Sequence, residues 1–358
     1  MAVGFPTKVS YANGDVFSAS DINDTNGTLN LLGSSVAYAA GKNDILNADF
    51  GIWQRGTSFS SPASGTYTAD RWLTAFDGTA GTYTISQQTF TPGTAPVSGY
   101  EGSFFLRYAV TNAGTGGSVR AIDQRIEDVR TFAGQTVNIS FWAKADASRS
   151  IGVQLLQTFG SGGSSAVTTS ATSQTATTSW ARYTTSVAVP SISGKTIGTS
   201  SYLALRLTIP YGTTSTVDFW GVQVEQGSTA TAFALATGNP ASELAACQRY
   251  YWRVTADSSN VYASFGNGVV TATTSAYVYV QNPVVMRVAP DTVDFSTLTF
   301  ANYGLTLYTV TALAFTSNRA GRLGSLMTAT ASGMFAGQGG WLGSNNSATG
   351  YIGFGAEL

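Results

Sequence analysis

Between Thr136 and Ile209 the chain repeatedly alternates in twos. Val137, Ile139, Phe141 and Ala143 take turns with Asn138, Ser140, Trp142 and Lys144, and the same period returns at Ile151, Val153 and Leu155 and at Leu203, Leu205, Leu207 and Ile209. A period of two gathers alternate side chains on one face of a strand, so each run predicts a strand with one buried face. Turn-forming clusters, from Ala113 to Gly117 and from Ser191 to Gly194, separate the runs at intervals suited to an antiparallel sandwich. Residues 160–179 are nearly all Gly, Ser, Thr and Ala, which predicts an exposed hairpin or loop. The stretch from Val119 to Arg130 fits two periods: Ile122, Ile126 and Val129 stand at helical spacing, while Ile122, Gln124 and Ile126 alternate. Its charges, Arg120, Asp123, Arg125, Glu127, Asp128 and Arg130, are expected to pair with one another.

Past Arg253 a second β-rich unit is expected, with Tyr277 to Val280 leading into the segment 283–290 and further strands near Thr297 to Phe300, Leu305 to Phe315 and Tyr351 to Phe354. Upstream the pattern is different. Residues 1–18 read as an extended arm with a turn at Asn13-Gly14-Asp15. Ser20 is a candidate N-cap, and Ile22, Leu29 and Val36 then recur every seven residues, with Leu32 and Ala39 between them. This seam is short and carries Gly27 and Gly33. It therefore needs cover, either from other chains or from the chain's own domain.

Composition narrows the chemistry. Charged residues make up 10 % of the 358 positions and hydrophobic residues 43 %, with 40 glycines, a balance that favours strands and turns over helical bundles. Lys and Arg number 18 against 19 Asp and Glu, which leaves no basic footprint for nucleic acid. Histidine is absent, which removes His-based nucleophilic triads and the commonest transition-metal ligand. The single Cys247 cannot form an intrachain disulfide and reads as a buried thiol. The acids of the second unit, Asp257, Asp291, Asp294 and Glu357, offer no clustered pair for glycoside hydrolysis. The first residues show no secretory pattern, and no apolar run reaches the roughly 20 residues of a membrane span. A product made in the cytoplasm without membrane insertion is expected.

Four separated blocks, ILNADFGIWQRGTSF (45–59), YTADRW (67–72), DFWGVQVEQGS (218–228) and ELAACQRYYWR (243–253), bracket one β-rich domain and resemble bacteriophage virion proteins. Through Asn47-x-x-Phe50, AGQTVNISFWAKA, SWARYTTSVAVP (179–190) and GVQVEQG (221–227), the middle of the chain is similar to jelly-roll domains grouped with family 4 and 9 carbohydrate-binding modules. SASDIN (18–23) resembles the start of phage fibre N-terminal regions. ELAACQRYY, MRVAP (286–290) and the final GAEL resemble phage tail and fibre proteins. The resemblance decides 119–130 as a strand ending in a helical turn. It implies a mainly β protein of three parts: a virion-attachment arm with a short helix (1–44), a jelly-roll β-sandwich (45–240) and a C-terminal β-rich domain (241–358).

The role implied is that of a phage virion structural protein, a homotrimeric tail fibre or similar appendage. Ile22, Leu29, Leu32 and Val36 would form the attachment and trimer seam, joining other virion proteins. Contact with a host surface glycan is assigned to Tyr303, Tyr308, Trp341, Asn345 and Asn346, which combine aromatic platforms with amides. Trp142, Trp180 and Trp220 fall within strand patterns and read as core, and Trp53 and Trp72 as parts of the opening structure. The sugar-binding relatives also imply a structural calcium at Asn47, Asp49 and Asp218; the plainer alternative has Asp49 capping a turn and Asp218 accepting backbone hydrogen bonds. Two other roles compete: a capsid or baseplate decoration or connector that binds only virion proteins, and, less favoured, a glycan depolymerase. A protein that is not an enzyme is expected.

Overall fold

The computed structural model describes residues 42–97 and 100–358; the seam Ile22, Leu29, Leu32 and Val36 lies outside them. The molecule is mainly β. Two sheets face each other in the first unit. One has the order β1 (Ser58–Ser60), β3 (Thr82–Thr89), β4 (Phe104–Asn112), β12 (Ser215–Gln226), β6 (Thr136–Ala145), β10 (Ala181–Ala188). The other runs β2 (Trp72–Phe76), β5 (Arg120–Glu127), β11 (Tyr202–Thr208), β7 (Arg149–Thr158), β8 (Val167–Thr168), with β9 (Thr172–Ala176) also on β7. All pairings are antiparallel. The alternating residues named above meet in one core: Val137, Ile139, Phe141, Ile151, Val153, Leu155, Leu203, Leu205 and Leu207 are all fully buried.

The one-face expectation fails for β6 and β12, which are buried on both faces. The segment 228–235 folds back over the outside of their sheet. Asn138 Nδ2 donates to the Ser228 carbonyl, Arg182 donates to the Thr231 carbonyl, and Phe233 packs on Trp142 and Trp220. Trp142 and Trp220 lie opposite each other in register, 5.4 Å apart, with Tyr100 and Phe90 around Trp220. Gly221 makes this possible. It sits at φ +61° in a register shift of β12, and a Cβ there would fall 2.7 Å from the Trp142 ring, so only glycine fits the bulge.

Within residues 119–130, Arg120–Glu127 form β5, and successive turns follow from Asp128 to Gln135. Its charges mostly do not pair among themselves. Asp123 faces Arg206 across the β5–β11 pair and is held by it at 2.7 Å; Arg120 is buried and donates to the carbonyls of Ala80, Ala113 and Pro210. Glu127 pairs with Arg249, and only Asp128 and Arg130 bond to each other. Strand neighbours point to opposite faces, so charges in a central strand find partners across strands. Residues 160–179 supply β8 and β9 and are largely exposed, with Ala176 the buried exception.

A helix absent from the sequence expectations, α1 (Pro240–Gln248), links the units; Asn239 caps it, its Oδ1 accepting from Ser242 N at 3.0 Å, and Pro240 opens it. The second unit has a three-stranded sheet, β13 (Tyr251–Thr255), β22 (Tyr351–Gly355), β16 (Thr292–Ser296). Its larger sheet has seven strands in the order β18 (Leu307–Thr309), β17 (Leu298–Asn302), β21 (Gly339–Ser344), β14 (Ser264–Ala272), β15 (Ser275–Gln281), β20 (Gly324–Thr330), β19 (Ala312–Phe315). Its core is built from Val278, Met286, Phe300, Met327, Leu342, Ile352 and Phe354.

The opening motif is the joint between the units. Arg55 stacks on Tyr251 at 3.4 Å and Arg71 on Tyr250 at 3.4 Å, and both guanidiniums bond Glu357. Gln54 links Asp70 to the Tyr251 carbonyl.

Candidate functional site

On the seven-stranded sheet, alternation sends Phe300, Leu342, Val278 and Met327 into the core. The intervening residues of the neighbouring strands face out: Trp341 stands beside Asn267, Asn267 beside Tyr279, and Val269 beside Tyr277, while Ala301, paired with Trp341, is fully buried. Tyr277, Tyr279 and Val269 are 40 %, 51 % and 42 % exposed. Three aromatic rings are laid over glycines. A Cβ on Gly339 would fall 2.6 Å from the Tyr303 ring, one on Gly343 2.4 Å from the Trp341 ring, and one on Gly324 2.3 Å from the Tyr279 hydroxyl. Glycine here lets the rings rest on the sheet and turn a face to solvent.

The β17–β18 hairpin raises the end of this ledge. Leu305 N donates to the Asn302 carbonyl and Thr306 N to Asn302 Oδ1, both at 2.9 Å, while Leu305 itself adopts φ +59°. A β-hairpin tip that holds leucine in the left-handed region is strained, and such strain gathers at functional sites. Tyr303 is 86 % exposed and Leu305 73 %. Beside them lies a cavity of about 130 Å³ lined by Asn302, Tyr303, Gly304, Gln338 and Gly339. Asn302 Nδ2 donates to Gln338 Oε1 at 2.9 Å; among the described residues no protein acceptor takes the Gln338 Nε2 hydrogens or the Tyr303 hydroxyl. An aromatic face next to amide donors and acceptors is chemistry that receives a hydroxyl-rich ring.

The Tyr303–Trp341 end of the ledge carries no charge. Most charged side chains of this unit are used elsewhere: Arg253 pairs with Asp294, Asp257 caps its own turn, Arg287 donates to the carbonyls of Ala356 and Glu357, and Arg322 donates to Met286 O, while Asp291 precedes β16 in the three-stranded sheet. Arg319, exposed in the loop between β19 and β20, lies across the sheet from β17 but borders the Tyr279 end of the face, since its carbonyl accepts from Leu326 N and Leu326 pairs with Tyr279.

Of the residues singled out from sequence, Tyr303 and Trp341 share this face. Tyr308 does not; it is 8 % exposed and packs in the core, its hydroxyl 3.5 Å from Asn302 Nδ2. Asn345 and Asn346 follow β21 at the end away from Tyr303, where Asn345 N donates to Thr297 O. Gly339 and Gly343 mark the two ends, about 13 Å apart at strand rise. Asn302, Gln338, Tyr277 and Tyr279 were missed, although the alternation Tyr277-Val278-Tyr279-Val280 places both tyrosines on one face.

Asn47, Asp49 and Asp218 do not converge into a calcium cage. Both Asp218 oxygens are held by Arg107, at 2.7 and 2.8 Å, with Lys144 nearby at 3.7 Å. Asn47 spends its amide on the carbonyls of Ile52 and Asp70 and accepts from Ile52 N. Asp49 caps the turn at Gly51 and accepts from the Tyr100 hydroxyl at 3.3 Å. Among the described residues no group of three or more His, Cys, Asp or Glu is placed to hold a metal. Asp49 and Glu243 border a cavity of about 260 Å³ with Tyr100, Glu101 and Phe104, and burial raises the pKa of both. Glu243 is already engaged by Asn47 N and Thr237.

The sandwich tryptophans are structural. Trp72 and Trp220 are fully buried, Trp53 and Trp142 nearly so, and Trp180, partly buried, packs on Phe90 and Phe105.

No family model and no curated protein matches the chain. Among solved structures it is similar to the enzymatically active domain of tailspike protein 4 of bacteriophage CBA120, at 15 % identity and TM-score 0.33, over 52 % of this chain and 22 % of that one. It is similar to a family 4 carbohydrate-binding module at 23 % identity and TM-score 0.28, over 40 % of this chain and 87 % of that one. A third likeness is to the C-terminal family 22 carbohydrate-binding module of Clostridium thermocellum Xyn10B, at 15 % identity and TM-score 0.31, over 54 % and 99 %. The chain thus spans about a fifth of the tailspike's length and nearly all of the two modules.

Proposed function

We propose that the chain is a phage virion structural protein, a homotrimeric tail fibre or similar appendage, that joins the particle through residues 1–44 and meets a host surface glycan with the Tyr303–Trp341 ledge. The observation that carries the glycan contact is the set of aromatic rings laid over glycines, exposed Tyr303 and Tyr279 and half-buried Trp341, beside an amide-lined cavity. The heptad spacing of Ile22, Leu29 and Val36 and the fibre-like SASDIN support the attachment and oligomer parts of the reading. The sparse acids and the absence of histidine from the sequence favour binding over catalysis.

The test is retention of the full chain on an immobilised glycan array, repeated with Tyr303→Ala and Trp341→Ala. Each variant is expected to lose about ten-fold or more in retention with unchanged melting, as expected for aromatic anchors. Capture of a particle protein without retention of any glycan would replace this reading with the connector role.

A further inference from the structure

We infer that the ledge takes a neutral oligosaccharide, one without carboxylate, sulfate or phosphate. The inference rests on the reading of this face as the glycan contact and adds the chemical class of the ligand. An anionic sugar brought against protein loses hydration and needs charge-assisted donors, usually Arg or Lys, to offset that loss. A cationic amino sugar needs carboxylates for the same reason. The Tyr303–Trp341 end of the ledge has neither. The outward residues of the face are Tyr277, Tyr279, Val269, Asn267, Trp341, Leu307 and the hairpin pair Tyr303 and Leu305. Of the unit's charged groups, Arg319 stands at the opposite, Tyr279 rim, Asp291 precedes β16 in the smaller sheet, and Arg253, Arg287, Arg322 and Asp294 are tied to other partners. What it does offer suits hydroxyls and ring C–H faces. Tyr303, Trp341 and Tyr279 supply ring faces, the Gln338 amide nitrogen and the Asn267 amide supply hydrogen-bonding groups, and Asn302, its own amide engaged by Gln338 and Thr306, positions Gln338.

The experiment uses the full chain on an array carrying neutral hexose, deoxyhexose and N-acetylhexosamine oligosaccharides beside uronate-, sialate- and phosphate-bearing ones. Retention of neutral glycans only is expected, changing by less than about two-fold between roughly 0.05 and 0.5 M salt, because no ion pair is there to be screened. Asn267→Lys, which sets a cation between Trp341 and Tyr279, is expected to add salt-sensitive retention of acidic glycans and provides a folded gain-of-binding control. Retention of acidic glycans alone by the unaltered chain would overturn the inference and leave the glycan reading standing. No retention of either class would overturn both; if Tyr279→Asp then also dissociated an oligomer in sedimentation, a second copy of this chain would be the occupant of the face.

Discussion

Leu305 has no apolar burial to justify its backbone: it is 73 % exposed and sits at φ +59°. For an L-residue that region costs about 1–2 kcal/mol, whereas glycine enters it freely at a smaller entropic cost. Leu305→Gly is therefore expected to raise the unfolding free energy by up to about 1 kcal/mol in urea titration and, on the reading proposed above, to weaken glycan retention. Stability gained without loss of retention would show that the hairpin tip is not part of the contact. Sequence reading reached Tyr303 and Trp341 by residue type but misplaced Tyr308. In Leu307-Tyr308-Thr309 both leading residues are apolar, and the strand puts Leu307 out and Tyr308 in. A three-residue strand is too short for its own periodicity to decide which side is buried, so only the partner strand fixes it.

Whole strands were easier to read than their partners. The period-two runs located β6, β7 and β11 because each has an unbroken inward set. The charges of β5 misled, since their partners lie on β11 and in loops far along the chain. Burial on both faces of β6 and β12 was also invisible, as it depends on residues 228–235 folding back. The Asp123–Arg206 pair gives this a number. Asp123 is 6 % exposed and meets the guanidinium through both carboxylate oxygens. Removing one partner of a buried pair leaves an uncompensated charge, at a cost of about 3 kcal/mol or more, while replacing both with apolar residues of similar size comes close to neutral. Asp123→Ala should thus unfold at much lower urea than Asp123→Leu/Arg206→Met. Equal losses would mean that water reaches Arg206 and the pair is ordinary surface pairing. A second test concerns the bulge of β12: Gly221→Ala combines a left-handed backbone with a clash on Trp142 and should cost about 1–3 kcal/mol by the same assay.

At the scale of the molecule, the opening motif, residues 45–59 and 67–72, turns out to hold the two units together. Gln54, Arg55, Asp70 and Arg71 come from that motif, and Tyr250, Tyr251 and Glu357 come from the other side. No short-range pattern announces this, because the partners are separated by roughly 200 to 300 positions. The joint also predicts how stability responds to pH. Burial pushes Asp70 up from 3.8 to about 6, against the opposing pull of Arg55 and the hydrogen bonds from Gln54. The folded joint therefore binds this proton more tightly than the unfolded chain does. The stabilisation is fully present below the unfolded value near 4 and is lost as pH rises through 6, by about 3 kcal/mol for a shift of this size. Glu243, raised in the same direction by burial, adds to the trend. Urea midpoints should therefore fall between pH 4.5 and pH 7. Asp70→Asn starts lower, because its amide nitrogen faces the Gln54 amide, but should lose a clear share of the slope, the remainder belonging to Asp44, which burial also raises to about 6, and to Glu243. A variant as pH-sensitive as the parent would move the titration away from the joint and leave Asp70 ionised in the folded protein throughout that range.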